Sequence, residues 1–110
     1  MNVTEHLIKT SENPVVYTLY ENGAAISVTP TEIYINIEDI VTITRAPTGN
    51  GVAYSAGQIT ITPSDLTEDL SSLRQGGVYV VQTRIKTVSQ PGGVWYGKSD
   101  SDNRLFFLIG

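Results

Sequence analysis

Apolar and polar residues alternate with a period of two in one segment after another. Ile33, Ile35 and Ile37 alternate with Tyr34 and Asn36, and Val41 and Ile43 alternate with Thr42 and Thr44. Successive side chains of a strand point to opposite faces, so both segments read as strands with one wet face. Residues 15–20 read as a strand from a short apolar run, and the alternating pattern makes strands of 57–62, where Ile59 and Ile61 oppose Thr60 and Thr62, and of 78–88. In that last segment Tyr79, Val81, Thr83 and Ile85 share one side and Gln82, Arg84 and Lys86 the other. Asn22-Gly23 is a preferred dipeptide for a tight type I′ turn, so residues 24–28 are expected to pair back. Residues 52–56 read as a weak strand or a loop after the Pro- and Gly-containing segment 46–51, and Val94-Trp95-Tyr96 starts a strand after Gln90-Pro91-Gly92-Gly93. Residues 104–109 differ, because Leu105, Phe107 and Ile109 alternate with Phe106 and Leu108. A strand apolar on both faces needs cover on both, from other elements or from a partner.

One segment carries a helical signal. Thr62-Pro63-Ser64-Asp65 combines hydroxyls able to cap, a proline at a helix start and an acid at the positive end, and Leu66, Leu70 and Leu73 then make one apolar stripe before Gly76-Gly77. A short helix or helical turn is expected there, crossing between strands. Residues 1–12 are polar apart from Val3 and Leu7-Ile8 and stop at Asn13-Pro14. They read as an N-terminal arm that either frames a sheet as an edge strand or reaches a neighbouring subunit, with residues 13–110 forming one domain. Seven or eight short strands with turn signals between them point to an all-β antiparallel β-sandwich with one short helical crossover. A small β-barrel is the alternative.

Composition sharpens this picture. Eleven Ile, 11 Val and 13 Thr make 35 of 110 residues β-branched, stiff at χ1 and suited to a pleated surface. The length suits one domain by the rule of roughly 100 to 200 residues per domain. No cysteine is present, which removes disulfides and thiolate metal sites. Seven basic against 11 acidic residues give a formal charge of −4 without a run of like charge. Phosphate-backbone binding needs clustered Lys and Arg, so no direct nucleic-acid partner is expected, and Arg84 with Lys86 reads as a solvated strand face. No apolar run approaches the ~18 residues of a membrane span and the start of the chain lacks a signal-peptide pattern, so a cytoplasmic site of synthesis is expected.

The candidate chemistry is sparse. His6, the only histidine, lies in the arm, where nothing would hold it against catalytic partners. Asp100-Ser101-Asp102-Asn103 is similar to the first half of a calcium loop, but Arg104 stands where the fifth ligand position falls, and a polar turn is the better reading. Neighbouring carboxylates at Glu38-Asp39 and Glu68-Asp69 diverge on a strand or helix rather than converging as an acid and base would. Gly49-Asn50-Gly51 precedes no Lys-Ser/Thr and so makes no phosphate loop. Trp95 and Tyr96, with Tyr17, Tyr20 and Tyr34, form either core and subunit interface or a stacking platform for sugar rings. No enzyme, metal or cofactor is expected. The residues singled out for an interface are Leu7 and Ile8 in the arm, Trp95 and Tyr96, and Phe106 and Leu108, whose apolar faces would be a liability on a monomer.

Two stretches carry a resemblance to a family. Thr18-Leu19-Tyr20-Glu21-Asn22-Gly23 places a strand before a Gly-containing turn, and 57–66 runs through Thr62-Pro63-Ser64-Asp65-Leu66 to Leu73 and Gly77-Val78-Tyr79-Val80. Over residues 15 to 88 this resembles the immunoglobulin-like modules of tailed-bacteriophage virion proteins. The chain's size, lack of cysteine and β-rich character are similar to the short head decoration, or cement, proteins. The resemblance implies an immunoglobulin-like sandwich and a structural role in the virion, with self-association, as a trimer, and attachment to the major capsid protein or other virion proteins. A tail or baseplate adaptor is the next reading, and a carbohydrate-binding adhesion module is the alternative from a different class.

Overall fold

A computed structural model describes residues 3–96 and 104–110. The chain is all-β. Its large sheet has the order β1 (Val3–Leu7), β11 (Leu105–Ile109), β9 (Val78–Lys86), β5 (Glu32–Ile37) and β6 (Val41–Arg45), with β10 (Val94–Tyr96) also paired to β9. A second sheet runs β2 (Val15–Thr18), β8 (Gln58–Ile61), β7 (Val52–Ser55), and Tyr20–Glu21 (β3) pairs with Ala24–Ala25 (β4) in a small hairpin. The long β9 serves two neighbours on one side: its first half takes β11 and its second half takes β10.

Alternation decides which side chains meet. Ile33, Ile35 and Ile37 of β5, Val41 and Ile43 of β6, Val81 and Ile85 of β9 and Phe107 and Ile109 of β11 all turn inward and are buried. Val15, Tyr17, Val52, Ile59 and Ile61 of the second sheet close over them. The two layers are joined through Tyr17, whose hydroxyl is 3.0 Å from the Thr83 hydroxyl and whose ring meets Phe107 edge-on at 6.0 Å. Burial pushes the Tyr17 phenol pKa well above its ordinary value, so it stays a neutral hydrogen-bonding group.

Residues 3–7 frame the large sheet as its edge strand, the first of the two readings of the N-terminal segment, while several other expectations are corrected. Leu7 is fully buried, and its carbonyl accepts from Gly110 N–H at 2.9 Å. This strand pairs with β11 in parallel, Val3 opposite Leu105 through Leu7 opposite Ile109, so the sheet is not wholly antiparallel. Of the expected short helix or helical turn the structure has the turn, one 3-10 turn at Pro63–Asp65, and Leu66 is already extended with φ −69° and ψ 142°. Leu70 and Leu73 still reach the core, from an irregular crossover in which Glu68 turns to Arg45 and Asp69 accepts from Ser71 N–H at 2.9 Å. Beyond Asn22-Gly23, the returning strand is shorter than expected: Ala24–Ala25 pair back, and Ile26 N–H donates to Leu19 O at 3.0 Å. Residues 52–55 are a true strand, antiparallel to β8.

Candidate docking face

The inner face of the large sheet is filled by the second sheet, which leaves the outer face to be read row by row from the strand registers. Val78 of β9 lies beside Leu108 of β11, and Leu108 lies beside His6 of β1. One row along, Val80, Phe106 and Thr4 line up. Val78 is 54% exposed, Phe106 and Leu108 are half-buried, and Ile8, just past the edge strand, is 48% exposed. Strands β1, β11 and β9 thus carry a partly exposed apolar patch on the outer face. Covering the half of each side chain that is still exposed is worth about 1 kcal/mol by transfer.

The other end of the same face is aromatic and charged. Tyr34, Arg84 and Trp95 occupy one cross-strand row on β5, β9 and β10. The Arg84 guanidinium sits 4.9 Å from the Tyr34 ring centre and 5.4 Å from that of Trp95, and the two rings meet edge-on at 5.7 Å and 89°. Glu32 then receives Lys86 at 3.3 Å and Arg84 at 3.9 Å. Among the described residues Arg84 Nε is buried without a hydrogen-bond partner, which is tolerable because the ring faces supply the electrostatic attraction. Gly93 makes room for this arrangement, since a Cβ there would fall 2.6 Å from Arg84 Cγ.

The interface candidates separate on this frame. Ile8, Trp95, Phe106 and Leu108 lie on or beside the outer face. Leu7 belongs to the core. Tyr96 turns to the opposite face, opposite the buried Thr83, where it packs on the core; burial, and then the charge of Glu21, raise its phenol pKa. The five aromatics weighed as a sugar platform are dispersed: Tyr17 is buried, Tyr20 is exposed on the β3–β4 hairpin, and only Tyr34 and Trp95 touch. Glu38 and Asp39 form the β5–β6 turn, both with left-handed φ, and are tied to Val80 N–H and to Asn36. His6 is exposed on the edge strand, and Asp100 and Asp102 lie outside the described residues. Among the described residues no group of three or more His, Asp or Glu gathers as a metal would require.

Sequence reasoning missed two features. Val78 and Val80 were legible as outward apolar positions, because they alternate with Tyr79 and Val81. The other feature, Arg45 with Glu68, had no local signal, because its members are 23 residues apart. Arg45 makes two bonds to the Glu68 carboxylate, at 2.7 and 2.8 Å, and three to the main-chain oxygens of Thr44, Gly49 and Asn50, which uses all five of its donor hydrogens. This pairing lowers the Glu68 pKa and raises that of Arg45, and it ties the 46–51 loop to the crossover. Comparison with known proteins finds no matching family model, no matching curated protein and no matching solved structure.

Proposed function

We propose that this chain is a structural protein of a tailed-bacteriophage virion, a capsid decoration protein that self-associates and clamps capsid subunits through the outer face of its large sheet. The observation that carries the docking part is the row pair of Val78, Val80, Phe106 and Leu108, of which Val78 is exposed and the other three half-buried among the described residues. The virion part rests on the sequence resemblance. An immunoglobulin-like sandwich belongs to the same reading. Supporting it, β11-β9-β5-β6 match the order G-F-C-C′ and β2-β8-β7 the order B-E-D of that fold. Tyr79, near the start of the F-like strand, accepts a hydrogen bond from Arg74 N–H at 2.9 Å, the arrangement known as a tyrosine corner.

Docking suits this face better than sugar binding does. A stacking platform presents an open ring face, whereas Tyr34 and Trp95 stand perpendicular with Arg84 laid over both. The test is sedimentation of the purified chain across concentrations, with binding to expanded phage heads measured in parallel. A concentration-dependent oligomer, a trimer in the decoration-protein case, and saturable head attachment are expected, and Val78→Asp should abolish both while leaving the circular dichroism spectrum unchanged. A strict monomer that attaches to no head overturns the reading. Glycan binding with a change in Trp95 fluorescence would overturn it in favour of an adhesion module.

A further inference from the structure

The chain carries two Asn-Gly dipeptides in turns of the same local shape but with different tethers. Asn22 and Gly23 take φ of 53° and 79°, and Asn50 and Gly51 take 43° and 88°. Each turn closes a two-residue loop: the first joins β3 to β4, and in the second Gly49 and Val52 exchange both main-chain hydrogen bonds, at 2.9 and 3.1 Å. Both asparagine side chains are exposed. The difference lies in the main chain. A Cβ built on Gly23 meets nothing within 4 Å, whereas one on Gly51 would meet Thr62 O at 2.8 Å and Leu66 N at 3.0 Å. Arg45 in addition holds the carbonyls of Gly49 and Asn50, each at 2.9 Å.

We propose that Asn22 is a site of spontaneous deamidation and that the Arg45 clip protects Asn50 from the same reaction. The Gly23 amide nitrogen loses its proton to solvent base and attacks Asn22 Cγ. The new C–N bond closes a succinimide ring, the Cγ–Nδ2 bond breaks, and Nδ2 leaves as ammonia. Water then opens the ring at either carbonyl, giving aspartate or isoaspartate. Glycine at the second position removes the side chain that would hinder the attack, so local turn chemistry favours both sites equally. Ring closure requires the asparagine to rotate out of its left-handed turn. The β3–β4 hairpin can do so, because it is two residues long on each side and its four strand residues are exposed. The Asn50 turn must first release two charge-assisted bonds from Arg45, which should slow it about tenfold or more. The product at Asn22 adds a negative charge beside Glu21, and isoaspartate also lengthens the main chain within the turn. This inference does not depend on the virion assignment.

The experiment is incubation of the folded chain in mildly alkaline buffer, followed by tryptic mapping for the gain of about 1 Da that marks amide loss. Cleavage after Arg45 puts the two sites on separate peptides. Asn22 is expected to convert at least about tenfold faster than Asn50 in the folded protein, and the two at similar rates in concentrated urea, where the tether is gone. Arg45→Lys should raise the Asn50 rate and leave that of Asn22 unchanged. Equal rates in the folded chain, faster conversion at Asn50, or no conversion at Asn22 over the time in which the urea sample converts would each overturn the proposal; the urea comparison decides it even if the Arg45 variant fails to fold.

Discussion

Arg45 shows how a single charged residue can sit at 9% exposure in a β core. Its donors are all used, and its carboxylate partner sits in the crossover that the core leucines anchor. Removing the partner leaves a nearly buried cation with only main-chain acceptors. Glu68→Gln is therefore expected to cost about 2 kcal/mol at neutral pH, less than the full loss of a buried pair because three bonds remain. The pH dependence has a definite sign. Arg45 holds the Glu68 carboxyl below its ordinary value of 4.5, so its contribution is fully present above that value and is lost as pH falls through the lowered one. Urea titrations of the parent and Glu68→Gln should thus differ at neutral pH and converge in acid; a gap that persists unchanged in acid would assign the effect to packing. At Tyr79, removing the hydroxyl by Tyr79→Phe strands the Arg74 N–H, and a loss of about 1–2 kcal/mol in the same titration is expected.

Among the elements, β1 departs most from its sequence. A five-residue segment with Thr, Glu and His gives little strand signal, and its one decisive side chain, Leu7, looks like any isolated leucine until the parallel register with β11 places it under the sheet. Deleting residues 1–12 removes the burial of Leu7, worth about 1.5–3 kcal/mol, together with a ladder of backbone bonds. It also uncovers the edge of β11, a template for aggregation. The expected outcome is a thermal midpoint lower by about 10 °C or more with loss of solubility on heating. An unchanged midpoint in differential scanning calorimetry would show that the strand adds nothing to the fold. The crossover is the converse case. Its leucine spacing of four and three was a real signal for burial, and Leu70 and Leu73 are buried. Of the expected helix or helical turn only the turn at Pro63–Asp65 formed, because over so few residues packing and side-chain-to-backbone bonds outweigh intrinsic helical preference.

For the molecule as a whole, the alternation in β11 puts a core residue and an outer-face residue side by side, and on the proposed function it divides stability from assembly within adjacent residues. Phe107 is fully exposed to the core and closed to solvent, touching Tyr17 across the two layers, whereas Phe106 lies on the outer face with Val80. Phe107→Ala should cost about 3–5 kcal/mol of folding free energy. Phe106→Ala should cost the fold far less and weaken self-association and head attachment, measured by sedimentation and by binding to expanded heads. Equal effects of the two changes on folding, with none on association, would count against the outer face as the docking surface.

Period-two alternation was enough to assign β5, β6, β8 and β9 and their inward residues, because a strand's faces follow from covalent geometry alone. The type I′ geometry of Asn22-Gly23 was equally readable, since left-handed φ at both positions is a property of those two residues. Local chemistry carries no information about pairs that close across the chain. The parallel union of β1 with β11, the five-donor grip of Arg45 on Glu68 and the 46–51 loop, and the setting of Arg84 between Tyr34 and Trp95 all depend on which segments the shared core brings side by side. Likewise, the doubly apolar pattern of Leu105–Ile109 announced a need for cover, but the second sheet could fill only one of its faces, and that geometry is what leaves Phe106 and Leu108 outside.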